Sequence, residues 1–321
     1  MNNLFISSFN KESKYKPDLR YVFVFLVFLI SFLIYCETLN LSLFVKRLDA
    51  YTTLDNFLKQ KSDIETVFLG SSHFYKGINT DEIGQKVFNL SFGGRNYFTL
   101  YYFLKAHIKT MPSLKQIILE ADYHNFTSYI SNNSINHPFI KYVDFPELLK
   151  IKGLLFILSR VNYLTVLDER LGKSFFIDNA LGYLISNHKL SLFQATWISR
   201  VPKTSEGRAK LHFEDRKPIN QEMVLYFNKI ISLCRENNIE IITLQMPVSD
   251  EYVKFSDKFK EGKELKLKVR DILADSGCKN YDYENLYSAQ KSLFWSDGDH
   301  LTKEGAKLFT MHLKDEKDLF N

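Results

Sequence analysis

The chain has 321 residues, of which 45% are hydrophobic and 25% charged, and its formal net charge is +5. This composition excludes a disordered or collagen-like protein, and a mild positive charge spread along the chain does not indicate a nucleic-acid partner. Three cysteines exclude a disulfide framework, and Cys36, Cys234 and Cys278 lack the close spacing of a zinc site. We interpret them as buried thiols, with a Cys234–Cys278 bridge as the alternative.

The N-terminal segment predicts a membrane anchor. Residues 21–36 contain no charged side chain, and the mainly apolar stretch continues past Glu37 to residue 44, which reaches the roughly 20 residues that cross a bilayer. Four basic residues precede it and are expected to stay in the cytoplasm. We therefore predict a cytoplasmic arm over residues 1–20, one transmembrane helix over 21–44 and an extracytoplasmic domain over 45–321, in a single-pass protein of the cytoplasmic membrane.

Three alternatives to an uncleaved anchor stay open. A cleaved signal peptide requires small residues near the cut, whereas Ile34-Tyr35-Cys36 follows Leu33. A lipoprotein would be modified at Cys36, but Tyr35 is far larger than the residue expected before a modified cysteine. The third alternative is a buried helix of a soluble domain.

Beyond residue 45, short apolar runs alternate with amphipathic stretches. The predicted strands are residues 66–70, 87–91, 116–120, 239–245 and 280–283, and the predicted helices are 48–61, 99–110, 221–237, 261–275 and 302–313. Short apolar runs separated by helices are typical of buried parallel strands in βαβ units. A Leu- and Phe-rich stretch at about 126–218 lacks this alternation, and we predict that it is a helical insertion.

The first candidate for chemistry is the turn Gly70-Ser71-Ser72-His73, directly after the first predicted strand. Open α/β sheets bind ligands at the carboxyl ends of their strands. A serine in this turn exposes its hydroxyl, and its own backbone N–H points towards a substrate oxygen, so Ser72 is the candidate nucleophile. Taken alone, the pattern is weak, because most such turns are only loops. His73 is a surface residue, a supporting residue or a ligand.

The second candidate is Asp297-Gly298-Asp299-His300, just before the last predicted helix. Asp297 and His300 are three residues apart, a spacing that lets the carboxylate bind Nδ1 of the imidazole and leaves Nε2 free to take a proton from a serine. We predict that Thr302 caps the helix that follows. The alternative interpretation is a solvated turn.

The third candidate follows the second predicted strand, at residues 89–96. Gly93 and Gly94 carry no side chain, so a backbone N–H can approach an oxyanion there. The alternative is a flexible strand-to-helix turn, which adjacent glycines often mark.

Together, and in this order, the three motifs resemble the SGNH/GDSL hydrolase superfamily over about residues 65–313, apart from the insertion. The resemblance implies a flavodoxin-like three-layer α/β/α sandwich with a parallel sheet. It also implies that Ser72 is the nucleophile, that Asp297 and His300 complete the triad, and that the oxyanion is bound by the backbone of Ser72 and of Gly94 or Gly93.

Two departures from the family pattern bear on the prediction. The family's Gly-Asp-Ser is Gly-Ser-Ser here, and the block that normally supplies an oxyanion-binding Asn reads Glu120 to Asn125. Asp122 stands nearest to that Asn but donates no hydrogen bond when ionised. Asn125 or Asn96 is then the candidate for the third donor.

With the predicted anchor, these departures resemble the membrane-tethered branch of the superfamily, the DltD-like and alginate-acetylation-type proteins that work with a membrane-bound O-acyltransferase. The expected function is that of a membrane-anchored serine acyltransferase or esterase acting on O-acyl groups of a cell-envelope or extracellular polysaccharide. A catalytically inactive scaffold subunit of an acyltransferase complex is the alternative. The remaining histidines have no acidic or cysteine partner at metal spacing, so we predict no metal site. The expected reaction requires neither a metal nor an organic cofactor.

Overall fold

The computed structural model describes residues 23–28, 31, 48–127, 139–144, 146–147, 202–214, 219–316 and 318–320. The chain divides into two compact units, Met1–Leu43 and Phe44–Asn321. In the first unit residues 23–28 are helical and exposed; residue 31 is also helical, and the rest of the predicted anchor and arm lies outside the described residues. Within the described part of the chain, no helix has the length and apolar character needed to span a membrane.

The second unit alternates helices and strands. Its strands are β1 (Thr66–Leu69), β2 (Val87–Asn89), β3 (Gln116–Glu120), β4 (Glu240–Gln245) and β5 (Lys279–Asp282). Its helices are α1 (Leu48–Gln60), α2 (Ser72–Gly77), α3 (Tyr97–His107), α4 (Ser205–Phe213), α5 (Gln221–Glu236), α6 (Asp250–Ser256), α7 (Lys260–Asp275) and α8 (Lys303–Asp315).

The five strands form one parallel sheet in the order β2-β1-β3-β4-β5. This is the doubly wound order of flavodoxin-like folds, in which the strand order reverses between β1 and β3. The register between these two strands pairs Phe68 with Ile118 and Leu69 with Leu119. Their carboxyl ends therefore lie side by side, at the place where such sheets bind ligands.

Helices cover both faces of the sheet. Because successive strand residues point to opposite faces, Leu69 and Ile117 pack into one hydrophobic cluster, with α1, α3, α5 and α7, while Phe68 packs into a second cluster. The second cluster includes Phe74 of α2 and Phe309 of α8. The predicted three-layer α/β/α sandwich is confirmed.

The described elements agree with the prediction for all five strands and, to within a few residues at their ends, for the five predicted helices. The short helices α2 and α6 were not predicted. The predicted helix at 99–110 begins at Tyr97, because the Asn96 side chain accepts a hydrogen bond from the Thr99 backbone N–H and caps it. Cys234 and Cys278 are free thiols within the described residues, so the alternative of a bridge between them is wrong. Most of the predicted insertion lies outside the described residues, but its end includes α4, which packs against α6.

Candidate active site

The turn after β1 places Ser72 at the point where the strand order reverses. Ser71 caps α2 by accepting a hydrogen bond from the His73 backbone N–H, and Ser72 is the first residue of the helix. Gly70 has no room for a side chain, since a Cβ there would lie 2.7 Å from the Glu120 Cβ and 2.9 Å from a ring carbon of Phe74. The turn leaves the Ser72 side chain half-buried.

Ser72, His300 and Asp297 are brought together although 228 positions separate the serine from the histidine. His300 Nε2 lies 2.8 Å from Ser72 Oγ, and Nδ1 lies 2.8 Å from Asp297 Oδ2. The Nδ1–H directed at the carboxylate fixes the tautomer and leaves Nε2 to accept the hydroxyl hydrogen. These are the contacts through which an imidazole takes a proton from a serine.

The tight turn before α8 holds both Asp297 and His300. The backbone N–H of Trp295 donates to the His300 carbonyl at 2.9 Å, and the N–H of Gly298 donates to the Trp295 carbonyl at 2.9 Å. Gly298 has a φ of +72°, in the left-handed region that favours glycine. Thr302 accepts a hydrogen bond from the Gly305 backbone N–H at 3.2 Å, so its predicted capping role is confirmed.

The candidate oxyanion donors lie in different surroundings. A Cβ on Gly93 would come 3.9 Å from the Ser72 Cβ, and Gly94, with a φ of +73°, is exposed beside it. The Asn96 side-chain oxygen caps α3, and Asn125 Nδ2 donates to Glu120 Oε1 at 2.8 Å. The loop that contains Gly93 and Gly94, the glycine loop, thus adjoins Ser72. Both asparagines are engaged in other hydrogen bonds: Asn96 with the local backbone and Asn125 with the Glu120 side chain.

Glu120, at the end of β3, binds the underside of the serine turn. Its buried carboxylate accepts hydrogen bonds from the Ser71 N–H at 2.6 Å, from the Ser71 hydroxyl at 2.5 Å and from Asn125. The Phe74 N–H donates to it at 3.3 Å. Several donors offset the cost of burying this carboxylate. Through these hydrogen bonds Glu120 holds the serine turn against the neighbouring strand.

His73 lies buried behind Ser72 between two carboxylates. Its Nδ1 is 2.5 Å from Asp122 Oδ2, its Nε2 is 3.3 Å from Asp299 Oδ2, and its ring centroid is 5.0 Å from that of His300. Burial lowers the pKa of His73, but Asp122 and Asp299 outweigh burial and raise the pKa to about 10. His73 is therefore a buried cation at neutral pH. Asp122, the residue nearest to the expected Asn, accepts from His73 and from the Met246 N–H at 2.7 Å rather than acting as a donor.

Asp299 is joined by Arg208 to α4, at the end of the predicted insertion. The guanidinium donates from Nε at 2.8 Å and from Nη2 at 2.6 Å, both to Asp299 Oδ2, and the Asp299 side chain is fully buried. Burial opposes ionisation, but attraction to His300 and Arg208 outweighs it and holds the pKa of Asp299 well below its usual value.

Two further histidines pack against this group. His124 and His212 stack with ring centroids 4.7 Å apart, and His212 Nδ1 lies 2.7 Å from the Tyr252 hydroxyl. Burial and the nearby cations hold the pKa of both histidines well below its usual value, so both are neutral.

Two groups of three side chains have possible metal-ligand atoms within 4.8 Å of one another. The first group is His73, Glu120 and His124, and the second is His73, Asp299 and His300. Both nitrogens of His73 face carboxylates, and Arg208 already supplies a positive charge to Asp299. These donor atoms are used in hydrogen bonds and ion pairs, which disfavours a cation here, and the expectation of no metal stays a prediction.

The glycine loop continues into a buried arginine. Arg95 is 1% exposed and its guanidinium carbon lies 3.7 Å from the ring centroid of Phe92 and 3.4 Å from that of Phe139. Its three side-chain nitrogens have no hydrogen-bond partner among the described residues. Burial lowers the pKa of Arg95 well below its usual value, and stacking on two aromatic faces partly offsets the loss of hydration.

The sequence did not single out Glu120 as a support for the serine turn or Asp299 and Arg208 as neighbours of His300. The role of Glu120 could have been found from the pairing of β1 with β3, because residues at the carboxyl ends of neighbouring parallel strands lie close together. Asp299 stands beside His300 in the motif itself. No sequence pattern connects Arg208, in the insertion, with a residue 91 positions later.

Comparisons with known proteins find similarity in structure. A GDSL-like lipase from Bacteroides thetaiotaomicron is 8% identical with a TM-score of 0.39, covering 82% of this chain and 95% of that one. A psychrotrophic esterase from Pseudoalteromonas is 12% identical with a TM-score of 0.39, covering 81% and 100%. A lipase/acylhydrolase from Enterococcus faecalis is 11% identical with a TM-score of 0.36, covering 79% and 95%. No protein-family model matches the chain, and no curated protein matches its sequence.

Proposed function

We propose that this protein is a serine esterase or acyltransferase of the SGNH type. The observation that carries the proposal is the chain of contacts from Ser72 Oγ through His300 to Asp297, with both distances at 2.8 Å. Both are within the hydrogen-bond reach that proton transfer requires. The position of Ser72 at the carboxyl end of β1, beside β3, further supports the proposal.

In the proposed reaction, His300 takes the Ser72 proton while the hydroxyl oxygen attacks the carbonyl carbon of an ester. The carbonyl oxygen becomes an oxyanion, which accepts hydrogen bonds from the backbone N–H groups of Ser72 and of Gly93 or Gly94. The tetrahedral intermediate collapses, His300 gives its proton to the departing alcohol, and an acyl ester remains on Ser72. Asp297 holds the imidazole and stabilises its protonated form.

The second half of the reaction repeats these steps with a new nucleophile. His300 deprotonates water, which gives hydrolysis, or a sugar hydroxyl, which gives transfer. Exclusion of water decides between the two outcomes. The reaction requires neither a metal nor an organic cofactor.

We propose further that the substrate is an O-acyl group on a cell-envelope or extracellular polysaccharide and that the site works outside the cytoplasmic membrane. Support comes from the sequence: the apolar segment at 21–44 with its basic flank, and the departures from the family pattern, which resemble the membrane-tethered branch. A membrane-bound O-acyltransferase is the expected partner in this proposal.

The experiment that tests the reaction is hydrolysis of p-nitrophenyl acetate by the full-length protein. Ser72→Ala should lower turnover by at least about 10⁴-fold because the attacking oxygen is lost. Ser292→Ala, at an exposed serine outside the triad, should retain the wild-type rate and serves as the control. Equal turnover by the wild type and Ser72→Ala would contradict the proposal.

Transfer and the scaffold alternative are tested separately. With an acetyl donor and an oligosaccharide such as chitohexaose, transfer should yield an acetylated sugar, detected by mass spectrometry, that Ser72→Ala does not make. Polymer acylation in cells that proceeds normally with Ser72→Ala would instead favour the scaffold subunit.

A further inference from the structure

Asp299 is a second carboxylate at the imidazole of His300. Its Oδ1 lies 3.1 Å from His300 Nδ1, nearly as close as the Asp297 oxygen at 2.8 Å. The Nδ1 hydrogen is directed at Asp297, and Asp299 Oδ1 has no hydrogen-bond partner among the described residues. Asp299 therefore acts on His300 through its charge, in a fully buried place where charges are weakly screened.

Two buried cations, His73 and Arg208, balance the charge of Asp299, and Arg208 makes the shorter contacts. Two guanidinium nitrogens bind the same carboxylate oxygen, and the Arg208 side chain is only 6% exposed. Arg208 belongs to α4, at the end of the stretch predicted to be an insertion, whereas the three triad residues come from the start of α2 and from the turn before α8. A residue of this stretch is thus one side chain away from the candidate catalytic base.

We propose that Arg208 is a positioning residue for the triad: by holding Asp299 in place and balancing its charge, it sets the pH range in which His300 can activate Ser72. The proposal rests on the proposed function. It gives the end of the insertion a role at the site, since any movement of α4 changes the electrostatic field at the imidazole.

The charges around His300 determine the sign of the effect. Its own turn contributes Asp297 and Asp299, α2 contributes the His73 cation, and α4 contributes Arg208 and the neutral His212. Loss of Arg208 leaves the Asp299 charge less balanced, which favours protonated His300. Loss of the Asp299 charge has the opposite effect, because Arg208 and His73 then repel a protonated imidazole.

The test uses the full-length protein and two readouts across pH: the rate at which a fluorophosphonate labels Ser72, and the NMR titration of the His300 imidazole. In Arg208→Met, both midpoints should rise by about one pH unit, which means about tenfold slower labelling below the midpoint. In Asp299→Asn, both should fall by a similar amount. Lys210→Met is the matched control, because Lys210 lies on the same helix, is exposed and pairs with Glu214.

Two more variants separate charge from folding. Arg208→Lys keeps the positive charge and should keep the wild-type midpoint. The double variant Arg208→Met with Asp299→Asn removes both charges without leaving an unpaired one, so it should fold even if Arg208→Met does not. Its midpoint should lie closer to the wild-type midpoint than the midpoint of Asp299→Asn does.

The outcomes distinguish this inference from the proposed function. Lower labelling rates with unchanged midpoints in Arg208→Met and Asp299→Asn would overturn the inference and leave a merely structural role. A wild-type chain that is never labelled at Ser72 would overturn the proposed function, and the imidazole titration would still decide whether Arg208 controls His300.

Discussion

A methyl group added at Gly70 should disrupt the nucleophile turn. The Ala Cβ would overlap the Glu120 carboxylate and approach the Glu120 Cβ to 2.7 Å. That side chain cannot move freely, since its carboxylate accepts three hydrogen bonds of 2.5–2.8 Å from Ser71 and Asn125. Hydrogen bonds to a charged group contribute about 1.5–3 kcal/mol each. Loss of two of them lowers the free energy of unfolding by about 3–6 kcal/mol.

Thermal unfolding of the full-length protein measures this loss. For a domain of this size, the predicted change lowers Tm by about 6–24 °C, and esterase activity should fall with it because Ser72 moves with the turn. Gly84→Ala is the matched control, because a Cβ on Gly84 meets no atom of the described residues within 4 Å. A Gly70→Ala variant that melts within 2 °C of Gly84→Ala (a difference of at most about 1 kcal/mol) would show that the serine turn accommodates the added methyl group.

The two buried arginines should respond in opposite ways to replacement by Met. Arg208→Met leaves the buried Asp299 carboxylate without its guanidinium partner and should destabilise the fold by about 3–5 kcal/mol. Arg95→Met removes a cation that has no hydrogen-bond partner among the described residues and should leave Tm unchanged or higher. A large decrease in the Tm of Arg95→Met would show that aromatic stacking of Arg95 outweighs the cost of burying its charge. His73 should make stability fall with rising pH, because its pKa is raised to about 10 and the folded state keeps a proton that the unfolded state loses above about pH 6.5. Between pH 6.5 and 8.5 the free energy of unfolding of the wild type, measured with urea, should drop by roughly 1.4 kcal/mol per pH unit relative to His73→Gln. Parallel pH profiles for the two proteins would contradict the view that His73 is a buried cation.

The sheet was predictable because its strands carry a local signal. Runs such as residues 66–70 and 116–120 are short, apolar and rich in residues that favour strands, and their burial on both faces needs no knowledge of distant contacts. The motif positions of Ser72, Asp297 and His300 followed from the resemblance to a known superfamily, and the structure places their side chains together.

The buried charges behind the triad could not be predicted in the same way. Charged residues are usually exposed, so neither Asp299 in a turn nor Arg208 in a polar stretch carries a local signal of burial. Their burial depends on the approach of α4 to the turn before α8, which is a tertiary contact without a local pattern. Asp122 illustrates the same limit: its sequence position suggested a missing donor, whereas its contacts make it the acceptor for His73 and Met246.

Covalent labelling is the sharpest test of whether Ser72 is a nucleophile activated by His300. The full-length protein is treated with a fluorophosphonate and digested, and the modified peptide is identified by mass spectrometry. We expect a single adduct on Ser72 that forms in the wild type and is absent from Ser72→Ala and His300→Ala. An unmodified Ser72 in a folded wild-type protein, or equal labelling in His300→Ala, would contradict this expectation.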